Sequence, residues 1–456
     1  MGRGLLGTSG QSVISVLFNR TYRHLFFAQV IALFGTGLMT VALALLAYDL
    51  AGKDAGAVLG TALAIKMTVY VFLSPVAAGY ASRFPRRSFL VGLDLVRAGT
   101  VVALPFVDAI WQIYVLIALL QSASAAFTPT FQATIPDILT DEKDYTNALS
   151  LSRMAYDLEN LLSPMIAAAL VGLIGFHWLF GGTVAGFLAS AFLVLTVTLP
   201  GQGRQEAEPP FRRTLKGLKI YLKTPRLQGL LALNLAVAAS GAMVIVNGVV
   251  LVKSVLGRGD ADLALSMAAY GAGSMVVAMF LPRLLKTRAD RTVMLCGAAA
   301  LPVSLLIFAV LMPRLFEAAL WPVLLAVWFM MGAGMSAVLV PSGRLLRNSA
   351  HPADRPLVFA AQFALSHGCW LIAYPLAGWL GSAASLPATM VFLAALAVVG
   401  LVAAQRLWPS GDRSVLDHEH PDLPPDHPHL KTAHGKRHAH AFVIDSLHHS
   451  WPDRRP

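Results

Sequence analysis

Nine of the thirteen histidines fall in the last 39 residues, as His418-Glu419-His420, His427-Pro428-His429, His434, His438-Ala439-His440 and His448-His449. In extended chain, residues two apart project to the same side about 7 Å apart, so a flexible His-x-His unit can close on one ion. Imidazole suits nickel, cobalt, copper and zinc, and the scarcity of sulfur argues against copper(I). These nine histidines are therefore the metal-ligand candidates. A pH-responsive tail is the competing reading, because imidazole titrates near neutrality.

A second group of ionisable side chains sits inside long apolar runs. At the centre of a spanning helix each costs about 2.5–3.5 kcal/mol, so it persists facing a cavity or a partner. Lys66 is one. Asp94 and Arg97 lie three apart on one helical face, and Arg153 and Asp157 lie four apart in SRMAYDLENLLSP, so each pair can close as an end-of-helix salt bridge. Glu159 points about 160° away from Asp157 on a regular helix of about 3.6 residues per turn, so the two carboxylates do not share one small site. Lys66 with Glu159 or Asp157 would suit proton-coupled exchange if proton occupancy changed with access. In FAAQFALSHGCWLIAYP, His367 and Cys369 diverge on a helix, whereas His367 with Gln362 or Tyr374 could line a cavity. Lys66, Asp94, Arg97, Asp157, Glu159 and His367 are the transport or coupling candidates.

The elements carrying these residues are membrane helices. With 56% hydrophobic and 13% charged residues and a mean hydropathy of +0.65, the chain is far from the roughly 25% charge of soluble domains. A spanning helix needs about 20 mostly apolar residues, and backbone amides in lipid must pair within the segment. Twelve such runs fit: 24–48, 57–82, 88–107, 111–136, 145–174 and 178–199, then 227–253, 262–285, 291–312, 318–343, 355–380 and 385–408. Residues 11–23 read as a short lead-in helix.

Between the two sets of six lies LPGQGRQEAEPPFRRTLKGLKIYLKTP. Its Phe211, Leu215, Leu218 and Leu222 form a helical stripe with the basic residues mostly off it, the pattern of a helix lying along an anionic leaflet. The expected organisation is a six-helix half over 1–200, a connector with an amphipathic helix over 201–225, a second half over 226–409 and a disordered His-rich tail over 410–456. Twenty-one Lys and Arg residues fall in loops on the connector's side and four on the other, which places both termini in the cytoplasm. The net charge of +11 is thus a topology signal and not a nucleic-acid footprint. Two cysteines, both in apolar runs, exclude a disulfide framework. The N-terminus lacks signal-peptide order. No nucleotide loop, HExxH or GxSxG is present, which argues against an enzyme and requires no cofactor.

The interval AGYASRFPRRSFLVGLDLVRA resembles the second-to-third-helix signature of the major facilitator superfamily, Gly-x-x-x-Asp-Arg-x-x-Arg-Arg. Arg83, Arg86 and Arg87 match its basic positions, Ser82 replaces its Asp, and the glycine is displaced to Gly79. Arg283, Arg288 and Arg291 repeat the feature in the second half, as an internal duplication would. FTPTFQATIPDILTDEKDYTNALSLSR resembles the corresponding segment of bacterial drug and siderophore exporters in this superfamily. With its tail, the chain also resembles the superfamily's nickel-resistance exporters.

The resemblance implies an all-α membrane protein of twelve transmembrane helices in two six-helix halves. It further implies a loop of Arg83, Arg86 and Arg87 that latches the halves together, and location in the bacterial inner membrane. The function it implies is a monomeric, proton-coupled secondary exporter of nickel or cobalt, with organic drugs or siderophores as the alternative. Its partners would be membrane lipid, protons and that substrate.

Overall fold

Asn19 starts the first long helix: its side chain accepts the N–H of Tyr22, and α1 then runs Arg20–Ala51. Residues Val13–Phe18 form a short 3-10 segment, not the lead-in helix expected over 11–23, because this cap begins a new helix at Arg20. The computed structural model describes residues 13–81, 84–199, 210–285, 287–351, 354–411, 415–419, 437–445 and 447–452.

The remaining helices of the first half are α2 (Ala55–Ala81), α3 (Arg86–Ala103), α4 (Ile110–Ile138), α5 (Glu142–Ile174) and α6 (His177–Leu195). The connector contains α7 (Pro210–Lys223). The second half holds α8 (Pro225–Val250), α9 (Asp260–Leu284), α10 (Asp290–Leu311), α11 (Glu317–Arg347), α12 (Arg355–Ala383) and α13 (Leu386–Leu407). Ten segments among the described residues are long and apolar enough to cross a membrane. The first of them, Arg20–Leu73, joins α1 to most of α2. Gly52 and Gly175 take positive φ (54° and 77°) at helix ends, where a side chain would strain the backbone.

Packing repeats between the halves. In the first, α1 packs on α5 and α6, α3 on α4 and α6, and α2 on α4; in the second, α8 packs on α12 and α13, α10 on α11 and α13, and α9 on α11. Between the halves, α2 meets α12 and α5 meets α9, two contacts that a pseudo-two-fold exchanges.

The described polar contacts between halves lie at the end away from the connector. Tyr48 Oη and Ser254 Oγ are 2.9 Å apart, Lys253 Nζ is 3.8 Å from Asp49, and Trp379 Nε1 donates to Thr61 Oγ1 at 3.1 Å. Backbones touch there too: a Cβ on Gly60 would lie 2.6 Å from the Tyr374 carbonyl oxygen. At the connector end, the ion pairs Arg86–Asp137 and Arg344–Asp290 each stay within one half.

The connector helix uses a different face from the one its sequence suggests. Ile220 and Tyr221 are buried while Leu215 and Leu222 are exposed, because Gly217 packs on the Leu357 backbone of α12 and Tyr221 donates to Gln362. Lys216 pairs with Asp354 at the same seam.

The tail corrects a second expectation. Its described parts are ordered: β1 (Val415–Glu419) pairs antiparallel with β2 (Arg437–Ala441), and Phe442, Ile444 and Trp451 join the main apolar core. Asp445 accepts from His351 Nε2 at 3.0 Å and from His448 Nδ1 at 2.9 Å, Lys223 Nζ donates to the His449 carbonyl at 2.7 Å, and the Arg226 guanidinium lies 5.5 Å from the Trp451 ring. Composition averaged over the whole tail hides the apolar AFVIDSLHHSW segment, which has enough buried area to dock.

Candidate functional site

The ionisable candidates sit near mid-length of their helices, so they share one level of the bundle. Lys66 lies on α2 and, with Met39, Thr40 and Leu43 of α1, Ile117 and Gln121 of α4 and Ile245 of α8, lines a mostly apolar cavity. Glu159, on α5, is close enough for its charge to act on Lys66, as is His367 on α12. The structure therefore brings Lys66 and Glu159 together, although among the described residues no salt bridge within 4 Å joins them.

A glycine positions Glu159. A Cβ on Gly37 of α1 would collide with the Ser163 side chain and lie 3.0 Å from Glu159 Oε1, so α5 approaches this closely only at glycine. Ser163 Oγ is buried with no hydrogen-bond partner among the described residues, a polar atom left beside the carboxylate.

Tyr70 stands one turn from Lys66 on α2 and meets the other half. Its ring centroid is 5.6 Å from His367 and 6.1 Å from Phe363, and those two rings are 3.9 Å apart. His367 Nδ1 is 2.7 Å from the Phe363 carbonyl oxygen, which can only accept, so Nδ1 carries a proton and donates, leaving Nε2 outside this bond. His367 does not pair with Gln362 or Tyr374, since Gln362 accepts from Tyr221 and Tyr374 packs on Trp370. Cys369 points elsewhere, to the Leu231 carbonyl.

Asp94 and Arg97 close as an ion pair buried within the first half. Ser190 of α6 donates to Asp94 at 2.8 Å, and the Arg97 guanidinium stacks 4.0 Å from Phe127 and 4.5 Å from Phe187. Asp157 and Arg153 lie on α5, but their side chains fall outside the described residues, as does Arg83 altogether.

Arg86 pairs with Asp137 of α4 and Arg87 donates to the Leu195 carbonyl of α6. Asp137 thus supplies the acid missing at Ser82. Among the described residues the partners of both arginines belong to the first half, which they brace.

Of the tail histidines, His418 lies opposite His438 in the strand register, with His440 two residues on; His448 is buried and His449 exposed. His420, His427, His429 and His434 are outside the described residues. Among the described residues no group of three His, Cys, Asp or Glu could hold a metal. Sequence reading missed Gly37, Tyr70, Gln121, Ser163 and Phe363. Only Tyr70, four after Lys66, and Gln121, polar in an apolar run, left a local signal.

A family model described as the Major Facilitator Superfamily matches residues 25–312 and 236–443. The chain belongs to that superfamily. It is 26% identical over 215 residues to an MFS-type transporter of Bacillus subtilis, YfiS, covering 46% of this chain and 51% of that one. It is 24% identical over 170 residues to macrolide efflux protein A of Enterococcus faecalis, covering 35% and 52%. The chain thus spans about half the length of these two relatives, whereas the match to Bacillus subtilis YvqJ, at 24% identity, covers 77% of this chain and 83% of that one. Among solved structures, the nucleoside transporter NupG superposes with a TM-score of 0.65 at 16% identity, over 85% of this chain and 100% of NupG. A bacterial homologue of the lysosomal transporter Spinster, solved inward-facing and unoccupied, superposes at 0.60 and 15% identity, over 89% and 100%. These likenesses establish the major facilitator fold.

Proposed function

We propose that this superfamily member is a secondary active exporter of small amphipathic organic compounds, driven by inward proton movement, and not an enzyme. The observation that carries this reading is Lys66 at mid-depth in the wall of a mostly apolar cavity, with Glu159 of the same half and His367 of the other close enough for its charge to reach them. Apolar walls suit an organic body, and the Lys66 ammonium in that wall disfavours a naked dication. The relation to macrolide efflux proteins supports export of organic compounds. Glu159 is the proton carrier in this scheme and Lys66 its counter-ion. The described polar contacts between halves gather at the far end, which supports a site that opens on the connector side, past the mid-depth meeting of Tyr70 with Phe363 and His367. Charge asymmetry makes that side cytoplasmic, in a bacterial inner membrane, with both termini there. Phosphatase activity from a periplasmic reporter fused after Gln202 would reverse this orientation.

Energised everted vesicles test the transport claim directly. Accumulation of erythromycin or another amphiphile should require a proton gradient and be lost in Lys66→Ala. Glu159→Gln should abolish gradient-driven accumulation yet retain exchange of loaded for external compound. Equal gradient-driven accumulation by wild type and Glu159→Gln would refute the coupling role.

A second role, nickel or cobalt capture by the tail, is favoured by the register that sets His418 opposite His438. The ligand pool is His418, His420, His427, His429, His434, His438, His440, His448 and His449. Calorimetric titration of the full chain against a chain ending at Gly411 should show nickel or cobalt binding only in the former; identical titrations would remove this role.

A further inference from the structure

We propose that the mid-depth site takes a zwitterionic compound built on an aromatic ring, with its acid group at Lys66, its ammonium at Glu159 and its ring against Tyr70, Phe363 and His367. This deepens, and rests on, the exporter reading above.

Charge balance comes first. Lys66 lines the cavity, and Glu159 on α5, held against Gly37 of α1 outside the cavity wall, is close enough for its charge to act on Lys66; among the described residues the two are not closed into a salt bridge. Each unpaired charge at this depth is costly, so each retains a demand for a counter-charge. A simple cation entering the site would meet Lys66, and a simple anion would meet Glu159. A zwitterion offers each group its opposite and leaves the site neutral overall. The unpartnered Ser163 hydroxyl beside Glu159 adds a hydrogen-bond acceptor for the ammonium end.

The ring position follows from Tyr70. It is one helical turn from Lys66 and thus on the same face of α2. Its phenol meets Phe363 and His367 across the boundary between halves, and Phe363 is 41% exposed, so the cluster has open ring surface. Aromatic pairs favour centroid separations of about 4.5–7 Å, and a planar substrate can join such a cluster by offset stacking. A ring lodged there touches both halves at once. It therefore senses their relative movement, while a proton arriving on Glu159 competes with the ammonium. One proton bound displaces one ammonium contact, the stoichiometry an exchanger needs.

The test uses the full chain in nanodiscs, with norfloxacin as the probe. Norfloxacin has a fused aromatic ring, a carboxylate and an ammonium; its methyl ester is a cation and its N-acetyl derivative an anion. Fluorescence anisotropy should show the zwitterion binding about tenfold or more tightly than either derivative, roughly 1.4 kcal/mol per tenfold. Lys66→Met should erase the acid-over-ester preference and Lys66→Arg should keep it. Glu159→Gln should erase the preference for norfloxacin over the N-acetyl form. Retention of both folded variants as monodisperse species guards against misfolding, and the Lys66→Arg variant supplies a second check. Equal binding of the three probes by wild type, or an acid preference that survives Lys66→Met, would overturn the proposal. Probe discrimination without energy-dependent accumulation in everted vesicles would uphold the site and remove the exporter reading. Erythromycin accumulation with no probe discrimination would do the reverse.

Discussion

Gly60→Ala should open the end of the bundle away from the connector. The new methyl carbon would lie 2.6 Å from the Tyr374 carbonyl oxygen and 3.1 Å from Gly378 Cα, both on α12 in the other half. These are backbone atoms, so relief requires α2 and α12 to separate. Overpacking of this kind costs about 1–3 kcal/mol. The cost applies only while the far end is closed, so the ratio of far-open to far-closed molecules should rise about 5–150-fold. Alanine also gains about 1 kcal/mol of helix propensity over glycine, but in both states, so that gain cancels. The assay is pulsed electron spin resonance between labels at Asp54→Cys and Ala384→Cys, both exposed, in a chain with Cys296→Ser and Cys369→Ser. A longer-distance population should appear with Gly60→Ala. Gly332→Ala is the control: its Cβ would strike the Tyr270 carbonyl of α9, within the same half, so it should lower stability in both states and leave the label distance alone. An unchanged distance distribution in a folded Gly60→Ala chain would refute the far-end seal.

The Asp94–Arg97 pair should behave as framework. Removing one partner of a buried ion pair costs about 3–5 kcal/mol, so Asp94→Ala should sharply lower the unfolding temperature in detergent. Arg97→Lys should not restore it fully, because the planar guanidinium stacks on Phe127 and Phe187. For the docked tail, burial pushes the Asp445 carboxyl up, but the His351 hydrogen bond, the backbone N–H groups of His448 and Leu447 and the His448 charge outweigh it and bring it down to about 2. An ordinary aspartate titrates near about 3.9, so this lowered carboxyl contributes docking stability that is fully present above that pH and lost as pH falls toward 2. Protection of the amides over 442–452, taken relative to their intrinsic exchange rate at each pH, should be high at pH 5 and fall toward pH 2, and Asp445→Asn should be weakly protected throughout; equal protection in both chains would show the carboxylate is not what holds the tail.

Local sequence determined the helices and their order. Apolar runs of spanning length, with no water to satisfy a backbone amide, leave helix as the outcome, and the basic loops mark one side of the bundle. It also flagged Lys66 and Glu159, since a charge in an apolar run is visible without any fold. Tertiary structure decided what those charges face. Tyr70, Gly37, Ser163 and Phe363 join the site through contacts between helices far apart in the chain, and a glycine's value lies in the backbone that approaches it. The same holds for Asp137, which completes the Arg86 pair across 51 residues, and for the tail, where Trp451 found its place against Arg226. Residue type and spacing encode which groups are costly to bury; only packing settles which neighbour relieves the cost.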